Sequence, residues 1–322
     1  MPVDPLVSVL LPVWNGERFL RASIDSIASQ TFRAFELIVI SDGSTDGSLE
    51  IAREAAGLDS RIVVLPLPHD GLPAALNAGI AAARGAYLAR MDADDLAVPA
   101  RLERQVAYLD AHPHCVVVGS AVDVVDAQDE HLGIVRFPAA HADIVGALAV
   151  GRTGLAHPAV LMRREAVAAA GGYRANAFPS EDLDLWLRIR HHGEFANLDE
   201  PLLRYRRHPA AVGIRERGRQ QATIRALVAK RRAARDPSPA PPVNLRANGA
   251  AAGPTYHFEC ARVTHHAISR RGTAYAGWEA KRPRINDVPL RGSPQISRSA
   301  AASSGSTTFT APIVTALAGC GT

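Results

Sequence analysis

Short, almost uninterrupted apolar runs separated by segments of helical spacing constrain this chain more than any other feature. Val7-Ser8-Val9-Leu10-Leu11-Pro12, Leu37-Ile38-Val39-Ile40, Ile62-Val63-Val64-Leu65 and Ala86-Tyr87-Leu88-Ala89-Arg90-Met91 each have strand length and little polar alternation. That is the pattern of strands buried on both faces. Between them, Phe19, Leu20, Ile24 and Ile27, then Leu49, Ile51 and Ala52, then the stretch from Ala74 to Ala83 fall at helical spacing. A βαβα series predicts an α/β, Rossmann-like, mainly parallel and doubly wound sheet. Such sheets hold ligands outside the carboxyl ends of their strands.

The unusual residues fall at those ends. Trp14 follows the first run, Asp42 the second, and Met91-Asp92-Ala93-Asp94-Asp95 the fourth. Three carboxylates within four residues repel one another unless a cation or hydrogen-bond donors neutralise them. Carboxylate oxygens in that setting suit Mg²⁺ or Mn²⁺ beside phosphate oxygens. The competing reading is that Asp94 and Asp95 cap a helix beginning near Pro99. Asn15 is placed to cap the first helix, and Asp46 the second.

Further along, Leu102, Val106 and Leu109 predict a helix ending at His112-Pro113. Cys115–Val118 and Val122–Val125 read as two strands, with Ile134-Val135-Arg136 as an antiparallel addition. A helix near Ile144 to Val150 follows, and another from Arg164 to Ala170 stops at Gly171-Gly172. Ser180 is placed to cap a helix with Glu181, Asp182 and Asp184 in its first turn and an apolar stripe of Leu183, Trp186 and Leu187. Phe195–Leu198 and Leu202–Tyr205 read as two short strands, and a basic helix runs from about Gln220 to Arg235.

Charge divides the chain. Residues 1–200 hold 16 Lys and Arg against 27 Asp and Glu, residues 201–236 hold 11 against 2, and residues 237–322 hold 9 against 3. The basic surplus lies in the C-terminal third of the chain and does not make the acidic N-terminal body a nucleic-acid binder. After the breaker-rich Asp236 to Pro242 the sequence loses all periodicity, which predicts a disordered tail over 237–322. Cys115, Cys260 and Cys320 are too scattered for a disulfide framework or a zinc site. No apolar run reaches membrane-spanning length, which leads to the expectation of a cytoplasmic protein.

The ordered set of motifs resembles a family, the family 2 glycosyltransferases with the GT-A fold. The match runs through Pro12-Val13-Trp14-Asn15, Asp42-Gly43-Ser44-Thr45-Asp46, Ala75-Leu76-Asn77-Ala78-Gly79-Ile80, Met91 to Asp95, Pro99-Ala100-Arg101-Leu102, Glu181 to Arg188 and Tyr205-Arg206-Arg207-His208. It spans about residues 6–210. The resemblance implies a catalytic domain over 1–210, with a nucleotide-sugar-binding half at 1–98 and an acceptor-binding half at 99–210, followed by the basic helix at 211–236.

It further implies that Pro12, Val13, Trp14, Asn15, Asp42, Asn77, Asp92 and Ala93 line the nucleotide-sugar site. Asp94, Asp92 and His208 would hold Mg²⁺ or Mn²⁺. Asp182, or the adjacent Glu181, would be the catalytic base of an inverting transfer. The implied donor is a nucleotide-diphospho-sugar, most simply UDP-linked, and the acceptor a hydroxyl-bearing saccharide or a lipid-linked one, in cell-surface polysaccharide or glycolipid synthesis. The basic stretch 204–235 is a candidate for peripheral contact with the inner face of the plasma membrane. Two rivals share the crevice: a sugar nucleotidyltransferase, which would want a Gly-rich basic phosphate loop that Trp14-Asn15-Gly16-Glu17 lacks, and a catalytically silent nucleotide-sugar-binding module.

Overall fold

The computed structural model describes residues 4–233. The anticipated tail at 237–322, Cys260 and Cys320 lie outside the described residues. The first half is β1 (Val7–Val13), α1 (Glu17–Ala28), β2 (Phe35–Asp42), α2 (Ser48–Leu58), β3 (Ile62–Leu67), α3 (Leu72–Ala82), β4 (Tyr87–Arg90) and β5 (Leu96–Ala97). The second is α4 (Arg101–Ala111), β6 (Cys115–Val125), β7 (His131–Val135), α5 (His141–Ala149), β8 (Leu161–Arg163), α6 (Arg164–Ala169), α7 (Glu181–Ile189) and β9 (Glu194–Arg206). Two helices, α8 (Val212–Arg215) and α9 (Arg217–Ala233), follow.

The strands form one sheet in the order β3-β2-β1-β4-β8-β6-β9-β5, with β7 on β6. β3, β2, β1 and β4 are parallel throughout, as the alternation predicts. Antiparallel pairing enters with β8, which joins β4 to β6, and with β5 on β9 and β7 on β6. The chain turns from β1 to β2 on one side and reaches β4 on the other. The ends of β1, β2 and β4 therefore flank the point where strand order reverses, the usual ligand position in such sheets.

Successive residues of a strand point to opposite faces, and the two cores follow from this. Val7, Val9, Leu11, Leu37 and Val39 pack under α1, α2 and α4 on one face. Leu10, Ile38 and Ile40 pack under α3, α5 and α7 on the other.

Several local expectations are corrected. Cys115–Val118 and Val122–Val125 form one strand, β6, and Phe195–Leu198 and Leu202–Tyr205 form one strand, β9. These two strands run parallel, and their registers shift around Ser120 to Val122 opposite Leu198 to Leu203. Polar interruptions in both strands therefore coincide as shared irregularities rather than ending either strand. Asn15 does not cap α1: it sits at φ 51° and its Oδ1 accepts the Thr45 N–H at 2.8 Å. Ser180 stands at the N-cap position of α7 but makes no side-chain capping bond; its hydroxyl donates to the Gln220 carbonyl at 3.4 Å, and the Leu183 N–H is taken by Asp182 Oδ1 at 2.7 Å. The buried stripe of α7 is Leu183, Leu185, Trp186 and Ile189, with Leu187 only partly covered.

Candidate functional site

The loops after β1 and β2 are bound to each other. Asn15 N–H donates to Ser44 Oγ at 3.1 Å, Gly16 N–H to Ser48 Oγ at 2.9 Å and Glu17 N–H to Asp46 Oδ2 at 3.0 Å. In return Gly47 N–H donates to Glu17 Oε2 at 2.8 Å. Asp46 also accepts the Ser48 N–H at 3.0 Å, so it serves the α2 terminus as anticipated. These bonds satisfy donors at the starts of both helices, which have no partners within the helix itself.

Trp14 projects from this rim, 45% exposed, and the His69 ring stacks on it at 4.6 Å with an 18° tilt. Pro12 and Val13 are buried behind it. Asp42 is only 4% exposed and already surrounded by donors. Its carboxylate accepts the Asp70 N–H at 3.0 Å and the Gly71 N–H at 3.1 Å, and His69 Nδ1 lies 3.0 Å from Oδ2. Gly43, at φ 65°, allows this approach, because a Cβ there would lie 2.8 Å from the His69 backbone nitrogen. Asn77 fastens α3 to the second half of the chain: Nδ2 donates to the Tyr173 carbonyl at 2.8 Å and Oδ1 accepts the Tyr173 N–H at 2.9 Å. Gly172, at φ 64°, clears the space beside it.

The acidic turn is built differently. Asp92, Asp94 and Asp95 each bring one carboxylate oxygen within 4.8 Å of the others. They do not cap α4, whose N-cap is Ala100; β5 lies between. Asp92 forms an ion pair with the buried Arg90 Nη1, and its carbonyl accepts from Ser23 Oγ at 3.0 Å. Asp95 Oδ1 accepts the Arg206 N–H at 2.8 Å, while its buried Oδ2 has no hydrogen-bond partner. His208 Nε2 lies 2.8 Å from Asp94 Oδ2. Ala93 packs beside Gly16, so the turn sits against the rim of β1.

Burial pushes the Asp92 carboxyl up; Arg90 opposes this and Asp94 reinforces it. Burial and the carboxylates of Asp94 and Asp92 push Asp95 well up. A bound divalent cation would relieve both effects, and an oxygen-rich set with one imidazole suits Mn²⁺ or Mg²⁺. The donor set and the partnerless buried Asp95 oxygen therefore fit the metal.

The α7 acids belong to the same electrostatic neighbourhood. Glu181 is 6% exposed, its Oε2 has no hydrogen-bond partner, and burial followed by Asp182 pushes its carboxyl up to about 8. Asp182 is also raised by burial, opposed by its bond to Leu183 N–H and by Arg90, with Asp92 adding to the rise. Arg90 and Asp92 thus act on both acids, which puts the start of α7 within electrostatic reach of the acidic turn.

Four members of the site's support carry no site assignment from the sequence. Arg90 lies beneath the site, and Arg101 Nη2 donates to the Arg90 carbonyl at 2.7 Å; burial lowers Arg101 to about 9. Tyr173 and His157 are buried, their Oη and Nε2 2.8 Å apart, and burial holds His157 well below the usual histidine range, hence neutral. Burial also raises the Tyr173 hydroxyl. Arg90 and Arg101 occur within or beside the quoted motifs, but nothing in the sequence shows that either is buried. Trp186 and Arg188 serve packing: Trp186 is 1% exposed, and Arg188 bonds Asp184 and the Gly172 carbonyl.

A concavity of about 540 Å³ lined by Ala86, Tyr87, Arg163 and Arg164 lies at the opposite end of β4 and takes no part in this arrangement. No helix among the described residues is long and apolar enough to cross a membrane.

Residues 8–169 match the Glycosyl transferase family 2 profile, and the chain belongs to that family. It is 40% identical over 217 residues to the putative glycosyltransferase EpsE of Bacillus subtilis, covering 64% of this chain and 74% of the relative. It is 32% identical over 209 residues to the O-antigen biosynthesis glycosyltransferase WbnJ of Escherichia coli, covering 63% and 80%. Among solved structures, S. aureus TarS 1–349 in complex with UDP superposes with a TM-score of 0.54 at 18% identity, over 70% of this chain and 64% of that one. The mannosyltransferase PcManGT from Pyrobaculum calidifontis, in complex with GDP-Man and Mn²⁺, gives 0.53 at 21% identity, over 74% and 66%. The architecture is the GT-A fold of these glycosyltransferases.

Proposed function

We propose that the protein is an inverting glycosyltransferase that moves a sugar from a nucleotide-diphospho-sugar, most simply a UDP-sugar, to a hydroxyl of a saccharide or lipid-linked acceptor. Its product would belong to cell-surface polysaccharide or glycolipid. The observation that carries this reading is the cluster of Asp92, Asp94 and Asp95 at the strand-order reversal, with Glu181 and Asp182 within its electrostatic reach. The relatives' names, and the UDP, GDP-Man and Mn²⁺ of the structural neighbours, support it.

On this reading residues 1–98 bind the donor and 99–210 the acceptor. The base lies against Pro12, Val13 and Trp14, where an aromatic face favours stacking. Asn15, Asp42 and Asn77 hold the loops around it, and Asp42 meets the base by exchanging one of its protein donors. Asp94, Asp92 and His208 hold Mg²⁺ or Mn²⁺, with Ala93 keeping the turn close to β1. The bound cation supplies neutralisation of the leaving diphosphate.

Asp182 accepts the proton of the acceptor hydroxyl as the new bond to the anomeric carbon forms and the bond to the diphosphate breaks. A carboxylate raised by burial is a stronger base for that proton. Arg90 keeps Asp92 oriented, and Glu181, in its deprotonated form, is the alternative base beside Asp182.

Asp182→Asn should keep donor binding and lower turnover by about 10²–10⁴-fold, whereas Asp94→Ala should abolish Mn²⁺-dependent binding of the nucleotide. Normal turnover by both variants would reject the assignment. A thermal-shift screen of nucleotide-sugars with Mn²⁺ identifies the donor.

The outer face of α9, where Arg219, Arg225, Lys230 and Arg232 are exposed, is the proposed membrane contact. Each such residue contributes about 1 kcal/mol near an anionic bilayer. Sedimentation with anionic vesicles should be strong at low salt and weak at high salt; no binding at low salt removes this part.

A further inference from the structure

We propose that Arg206 is the positioning residue of the acidic turn, and that through it the hairpin between β6 and β7 supports the cation site. This rests on the reading that Asp94 holds a divalent metal. Arg206 ends β9, and its side chain is 3% exposed. Its main-chain N–H donates to Asp95 Oδ1 at 2.8 Å, and its Nε donates to the Asp94 carbonyl at 2.8 Å. Both ends of the Asp94-Asp95 pair are therefore fixed by one residue that lies more than a hundred positions away in the chain.

The other side of the guanidinium faces the hairpin. Nη1 pairs with Asp129 Oδ1 at 2.7 Å, and the Asp126 carbonyl lies 3.4 Å away. Asp129 is held at φ 67°, in a turn where Asp126 Oδ1 accepts the N–H groups of Gln128 at 2.8 Å and Glu130 at 3.0 Å. A non-glycine residue in this backbone region costs energy that the surrounding bonds must offset. The turn thereby presents Asp129 to Arg206. The guanidinium also lies 4.5 Å over the Phe19 ring of α1, which restrains its plane.

The choice of acceptors assigns the role. Arg206 grips the carbonyl of Asp94 and leaves that residue's carboxylate to His208 and a cation. A guanidinium that paired with the turn's carboxylates would compete with the metal, as the Arg90 pair does at Asp92. This one fixes the peptide that carries them, as the partners of metal ligands do elsewhere. Lysine cannot reproduce it, because a single ammonium lacks the planar fork that reaches the turn with one edge and the hairpin with the other.

The test is Mn²⁺ binding by the full chain in the presence of UDP, followed by electron paramagnetic resonance, with melting temperature as a check on folding. Arg206→Lys should weaken Mn²⁺ by about 10–100-fold, and nucleotide binding should recover at high Mn²⁺, which a general loss of structure would not permit. Asp129→Asn, at a half-exposed position, should shift Mn²⁺ affinity the same way by less, and it carries the test if the lysine variant does not fold. Mn²⁺ affinity within about twofold of the parent in the folded variants, far under the expected range, overturns the proposal. Asp94→Ala separates the two readings. If it retains Mn²⁺, the metal assignment itself fails; if it loses Mn²⁺ while the Arg206 and Asp129 variants keep it, only the positioning role fails.

Discussion

The loops after β2 and β4 lie at the same end of the sheet, yet their carboxylates are treated in opposite ways. Asp42 is surrounded by donors from the loop at 69–71. Asp95 Oδ2, and Glu181 Oε2 on the facing helix, are buried with no hydrogen-bond partner. The first region is a finished piece of scaffold, since a satisfied carboxylate stiffens the loops it joins. The second keeps an electrostatic cost in the folded chain that a cation or a proton would remove. A protein that handles a charged leaving group benefits from that division: rigid walls beside the base, and carboxylates left free to hold a cation that would neutralise the departing diphosphate.

Breaking the finished side should have the largest effect on stability. Asp42→Ala removes the acceptor of the Asp70 and Gly71 N–H groups and should cost about 1–3 kcal/mol, measured by denaturant unfolding. An unchanged midpoint would mean that these bonds do not hold the loop. The unfinished side should respond in reverse. Glu181 keeps its proton in the folded chain up to about pH 8, whereas its ordinary value is 4.5. The folded state then binds more protons between these two values, and stability falls as pH rises through that window. Glu181→Gln should flatten the slope and raise melting at pH 8 by roughly 2–4 °C, the shift expected for about 1 kcal/mol in a chain of this size. A slope that survives the substitution would assign the titration to another group.

The smallest effect sharpens the comparison at its boundary. His69 covers the exposed face of Trp14 and contacts Asp42, the two groups assigned to the nucleotide base. A base that stacks there must displace the ring, at a cost of about 0.5–1.5 kcal/mol for an aromatic pair. His69→Ala should therefore tighten UDP binding by roughly 2–10-fold in calorimetry. Weaker binding would show instead that the imidazole forms part of the bound site.

Much of this was legible along the chain. The four parallel strands and their helices follow from apolar runs and spacing, because burial on both faces leaves a local signature. The motif at Met91 to Asp95 marked the candidate site by three carboxylates within four residues, and the resemblance pointed to Glu181 and Asp182. The continuity of β6 and β9 was not legible, since Gly119-Ser120 and Asp199-Glu200-Pro201 read locally as breaks and only mutual pairing carries the strands across them. Asn15 and Ser180 have the composition of caps, but neighbouring segments offered each a different partner.

The sequence by itself determined the first four strands and the helices between them, the acidic turn and its place after a strand, because these depend on residues adjacent in the chain. Only the tertiary structure decided which charges are compensated. Arg206 reaches Asp94 from the far end of β9, Arg90 lies under both acidic segments, and His69 closes over Trp14. Each of these is a matter of distance and burial, and electrostatic energy depends on separation in space and on the surrounding dielectric, not on separation along the chain.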